Sequence, residues 1–145
     1  MSRRWWWTGS AVIVVVAVAV GAWFLLGRRH SDDSCAAVRD MIAVNRQHSA
    51  QVGAQADNGV QPTQDEYEQW ADRLGELAST VDDETLAPHA RRMADLAHQS
   101  AALNPAILAE LSAPQPSPGP AATKYAALNQ QFVAEQTELA HACPA

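Results

Sequence analysis

The chain has 145 residues and a formal net charge of −6, but its charge is unevenly divided. All 16 acids lie beyond residue 30, against six bases there (Arg39, Arg46, Arg73, Arg91, Arg92 and Lys124), a formal −10 for that part. Such a surface argues against binding nucleic acid or lying flat on anionic lipid, both of which need basic groups, and the length suits one small domain behind a leader or anchor.

Residues 5–27 contain no ionisable side chain and are bracketed by Arg3-Arg4 and Arg28-Arg29. At about 1.5 Å per residue, 22 helical residues reach roughly 33 Å, enough for a hydrocarbon core of about 30 Å. Trp5, Trp6 and Trp7 at one end and Trp23 and Phe24 at the other stand where aromatic rings favour the headgroup layer. A cleaved signal fits less well: the apolar run is long, it ends in Leu-Leu-Gly-Arg-Arg without an A-x-A-like site, and no lipoprotein-type triplet precedes Cys35. The expected layout is a cytoplasmic segment 1–4, a transmembrane anchor 5–27, a juxtamembrane stretch 28–34 and an extracytoplasmic helical domain 35–143. The basic flanks are nearly balanced, so charge alone does not orient the span. Within it, Ala17 and Gly21 have the small-residue spacing that lets membrane helices approach each other.

Beyond the anchor, Cys35, Val38, Ile42, Asn45, Ser49, Val52 and Ala56 recur at alternating three- and four-residue steps, predicting a helix over 32–56. Asp32, Asp33 or Ser34 is expected to cap it, Asn58-Gly59 to end it, and Asn45 and Ser49 need partners if buried. Thr63 and Glu66 have capping-box spacing, and behind them Tyr67, Trp70, Leu74, Leu77 and Val81 form a second stripe. Gly75 in that helix leaves room for a close neighbour. Asp82-Asp83-Glu84-Thr85 marks a turn before a third helix carrying Leu86, Ala90, Met93, Leu96, Ala97, Ser100 and Leu103, and Asn104-Pro105 is expected to break it before a short helix ending at Leu111, the alternative being a kinked continuation carrying Ile107 and Leu108. Residues 113–120 are a Pro-rich connector. The last helix, Ala121 to Ala142, presents Tyr125, Leu128, Phe132, Gln136, Leu139 and then Cys143 on one stripe.

The chain's two cysteines, Cys35 and Cys143, stand at the ends of the domain, each on a buried stripe. A disulfide between them implies an oxidising compartment and places the domain outside the cell, with the amino end inside. It also selects the fold. The start of the first helix and the end of the last lie together in an antiparallel four-helix bundle but a helix length apart in a three-helix one, and a disulfide needs Cα atoms within about 7 Å. The fold class is therefore all-α: one transmembrane helix, then a four-helix bundle stapled at its ends.

No strong catalytic or metal motif occurs. H-E-x-x-H, G-x-S-x-G, a phosphate loop, paired C-x-x-C and C-x-x-C-H are all missing, and His48, His89, His98 and His141 are scattered. No cofactor is expected. Asp65, Glu68, Asp72 and Glu76 share a helix face that reads as solvated, with cation attraction the competing use. Arg91 and Arg92 could meet a partner's anion but are expected to pair locally with Asp95. The layout resembles that of many actinobacterial envelope proteins, a likeness of composition that rests on no motif. The expectation is a non-catalytic, single-pass protein that contacts the bilayer through 5–27 and binds or scaffolds a membrane or envelope protein. The alternative is a small-molecule-binding domain, a sensor or carrier accessory, with the ligand entering between helices near Tyr67 and Trp70.

Overall fold

The computed structural model describes residues 32–114 and 118–144. The expected anchor at 5–27 lies outside them; among the described residues no helix is long and apolar enough to cross a membrane. Those residues form four helices and no strand: α1 over residues 32–57, α2 Gln64–Ser79, α3 Ala87–Leu111 and α4 Pro120–Ala142.

Side-chain contacts fix the topology. Ser34 at the start of α1 meets Asp82 and Asp83 beyond the end of α2, while Gln51 and Gln55 late in α1 meet Glu66 early in α2. His89 and Arg92 of α3 reach Glu135 and Gln131 of α4. Asn45 of α1 bonds Gln136 of α4, and Cys35 is joined to Cys143 with Cα atoms 5.2 Å apart. Successive helices therefore run antiparallel and α4 closes back on α1, as the expected disulfide requires. Val38, Met41, Leu74, Val81, Met93, Leu96 and Leu139 are the large fully buried apolar side chains of the core.

Local chemistry explains the helix ends. Gly59, at φ 68°, closes α1 with the Val60 N–H donating to the Gln55 carbonyl and the Gly59 N–H to that of Ala56, the pairing of a Schellman turn. Thr63 and Glu66 form the anticipated reciprocal capping box on α2. Ser34 differs from expectation. It lies inside α1, almost wholly buried, and its hydroxyl accepts from the Asp82 and Asp83 amides, serving the next turn rather than its own helix. The Asp83 carboxylate then accepts from the Thr85 hydroxyl and from the Thr85 and Leu86 amides ahead of α3. Those bonds, the Thr85 hydroxyl first, hold its pKa below the usual carboxylate range.

The expected break at Asn104-Pro105 does not occur; α3 runs through Pro105 to Leu111. Proline removes the N–H that would bond the carbonyl four residues earlier. That carbonyl belongs to Ala101, and it accepts instead from the Gln64 side-chain amide at 3.2 Å. The Gln64 Oε1 in turn accepts from Asn104. One side chain at the start of α2 thus repairs the gap in α3.

α4 begins at Pro120 behind an extended Gly119, and the Glu110 carboxylate accepts from the Ala121 and Ala122 amides, satisfying two of the free donors at that helix start. A Cβ at 119 would overlap that carboxylate. Gly75 has the expected close neighbour: a Cβ there would stand 3.4 Å from His98 Nε2.

Candidate functional site: an aromatic groove between the first and last helices

The stripes of α1 and α4 do not stay in contact over their full length. Near the disulfide, Val38, Met41, Ile42 and Leu139 are buried. Farther along α1 the same stripe reaches Ser49 and Ala56, which are exposed, while Val133 on α4 is 52% exposed. The helices open there into a groove of about 500 Å³.

Each helix supplies one kind of wall. α1 lines the groove with Asn45, His48, Ser49, Val52 and Gly53, where small residues keep the helix surface low. α4 contributes Tyr125, Asn129, Phe132, Val133 and Gln136, and Ser100 comes from α3. α2 supplies Tyr67 and Trp70. The His48 ring stacks on Trp70 at 4.6 Å and 9°, Tyr67 meets His48 edge-on at 5.4 Å, and Phe132 tilts against Trp70 at 5.7 Å. These are favoured aromatic arrangements. At the end nearer the disulfide, Asn45 Nδ2 donates to Gln136 Oε1 at 2.7 Å, giving one of the two polar interruptions of the α1 stripe its partner.

The groove is electrically quiet. None of its lining residues is an acid, a lysine or an arginine. Burial lowers the His48 pKa, opposed by the nearby Glu66 carboxylate, so the neutral imidazole is favoured. Burial, then Tyr125 and Glu66, raise that of Tyr67 and keep its phenol protonated. Glu66 itself, bonded first by the Thr63 amide and then by Gln55, Thr63 and Gln51 side chains, is held below the ordinary carboxylate value. Two buried polar atoms have no hydrogen-bond partner among the described residues, Gln55 Oε1 and the Trp70 indole Nε1.

The structure brings Tyr67 and Trp70 together at this groove and leaves Arg91 and Arg92 elsewhere. Both arginines are exposed on α3, where Arg92 donates to Gln131 at 2.7 Å; the expected pairing with Asp95 is not formed. A cross-helix acceptor has replaced the local one. On α2, Asp65, Glu68, Asp72 and Glu76 are exposed, with Glu76 paired to Arg73 and Asp72 3.9 Å from His98. Among the described residues no three His, Cys, Asp or Glu side chains are grouped to hold a metal. Of the groove's lining residues, sequence reasoning assigned only Tyr67 and Trp70 to a site; His48 and Phe132 complete their aromatic cluster. The available signal was polar Asn45 and Gln136 falling on facing stripes, which marks where the apolar seam stops.

Compared with protein-family models, curated proteins and solved structures, the chain matches none.

Proposed function

We propose that this is a non-catalytic, single-pass membrane protein whose extracytoplasmic four-helix domain binds another cell-envelope component in the groove between α1 and α4. The observation that carries the reading is the groove itself: an aromatic floor left open where the α1 and α4 stripes would otherwise have continued the core. Concave sites with aromatic walls and a few convergent polar groups are the usual form of a binding site. The placement outside the cell is supported by the Cys35–Cys143 disulfide, which persists in oxidising compartments. The apolar run 5–27 with its tryptophan borders supports the span.

Both halves of the proposal have a direct test. Lys124 is the chain's only lysine and is exposed, so a membrane-impermeant amine reagent applied to intact cells labels it if the domain lies outside. Labelling of Lys124 only after lysis would overturn the orientation. For the groove, a photoreactive residue in place of Val133 is expected to give a discrete adduct in native membranes that the same residue in place of Arg91 does not. Identical adduct patterns from the two positions would remove the groove from the argument.

A further inference from the structure

We propose that the groove's ligand is an uncharged saccharide, a short neutral glycan segment; this inference rests on the reading of the groove as a binding site. Three properties of the walls lead there. The first is charge. In a domain that carries a formal −10, none of the acids, lysine or arginines lines the groove, and its single imidazole is held toward neutrality by burial. A charged ligand would surrender hydration here against walls that carry no counter-ion, the nearby Glu66 being taken up by bonds from Thr63, Gln51 and Gln55, which is costly.

The second property is the type of polar group. Asn129 and Gln136 offer amides and Ser49, Ser100 and Tyr125 offer hydroxyls. Amides and hydroxyls both donate and accept. A wall of such groups complements a ligand whose own groups do both, and the ring hydroxyls of a sugar are neutral groups of that kind, carried densely and with no charge to desolvate. A purely apolar ligand would leave these groups unpaired, at a cost that grows with burial.

The third is the combination of apolar faces with that polarity. His48, Tyr67, Trp70 and Phe132 form a contiguous aromatic wall, and Tyr125, 39% exposed, also lines the groove. A sugar ring presents just such a division, C–H groups on its faces and hydroxyls at its edge. The volume of about 500 Å³ lies within the roughly 300–1,000 Å³ of small-ligand sites. A peptide helix is the competing occupant. It would bring an apolar stripe to a wall interrupted by Asn129 and Gln136, which suits it less well.

The test uses the full-length chain in phosphatidylcholine nanodiscs, because glycoside detergents would compete. Neutral trisaccharides of glucose and of N-acetylglucosamine are titrated beside trigalacturonate and the cationic glucosamine trimer. Binding is followed by saturation-transfer NMR and by Trp70 fluorescence in a background with Trp5, Trp6, Trp7 and Trp23 changed to Phe. At least one neutral trimer is expected to bind saturably, and both charged trimers at least about tenfold more weakly. Gly53→Leu places a side chain where a Cβ meets nothing within 4 Å; a helical glycine replaced in this way does not destabilise the fold, and the variant is expected to weaken binding at least about tenfold. Asn129→Leu is expected to weaken saccharide binding as well, whereas a site for an apolar peptide would gain affinity. Saturation by no neutral saccharide, equal binding of the charged trimers, or unchanged affinity in Gly53→Leu overturns the proposal. If the saccharides fail while the Val133 photoadduct persists, the groove remains a binding site and the ligand class is wrong. If both fail, the two readings fall together.

Discussion

The two ends of this bundle are built from the same four helices and behave as different materials. At the cysteine end, Ser34, Val38, Met41 and Leu139 are sealed, and the chain is tied by a covalent bond and by hydrogen bonds from the Asp82 and Asp83 amides to a buried hydroxyl. Toward the opposite end, α1 turns small and polar at Ser49 and Gly53, and α4 leaves Val133 and Tyr125 in solvent. There Ala71, Ala101, Leu128 and Phe132 stay buried, and side-chain hydrogen bonds add to them: Gln51 and Gln55 on Glu66, and Gln64 on Asn104 and on the Ala101 carbonyl. Packing thins and polar bonding grows along one pair of helices. The half that has given up core is the half with room for a ligand.

The contrast can be broken first at the staple. Replacing Cys35 and Cys143 by serine is expected to cost up to about 4.7 kcal/mol, the chain-entropy figure for a loop of roughly 100 residues, read as a fall in melting temperature by circular dichroism. Next, Met41→Ala at the sealed end should cost about 2–5 kcal/mol, while Val133→Ala at the open end should change stability by no more than about 0.5 kcal/mol. Equal losses at the two sites would erase the distinction between the ends. Third, Gln64→Ala strips the Ala101 carbonyl of its side-chain donor and should cost about 1–3 kcal/mol. Most of that loss should vanish in a Pro105→Ala background, where the backbone supplies the donor, so a double-mutant cycle reads the coupling directly.

The smallest effect is in pH. His48 has a folded pKa depressed by burial, so folding favours its neutral form. Stability is complete above the ordinary imidazole value of about 6.5 and declines as the pH falls toward and through the folded pKa. The depressed carboxyl of Glu66 adds a loss of the same sign at more acid pH. Denaturant titrations of His48→Gln between neutral and mildly acid pH should show a shallower decline than the parent, with the more acid limb retained.

How much of this was legible in advance depends on how local the cause is. Thr63 and Glu66 lie three residues apart and their capping box is complete in the primary structure. The helix stripes and the Cys35–Cys143 bond were equally readable, since periodicity names the buried face and the bond needs only matched ends. The continuity of α3 was not, because the donor that rescues Ala101 is Gln64, 37 positions away. Arg92 likewise takes a partner 39 positions away in place of Asp95. The groove was half legible: Tyr67 and Trp70 were singled out, yet periodicity says which side of a helix faces inward and nothing of how closely its neighbour approaches. His48 was weighed only as one of the scattered histidines, because its place in the site is made by stacking on another helix.

The sulfur bridge between α1 and the chain beyond α4 also sets a mechanical property. Tension applied between the segment before residue 35 and the segment after residue 143 passes directly across the bond, short-circuiting the 108-position separation of the two cysteines. The helices hang off that load path as a slack loop. A tug between those two segments, which would unzip an unbridged bundle from its ends, is borne by the bond and leaves the groove's shape untouched.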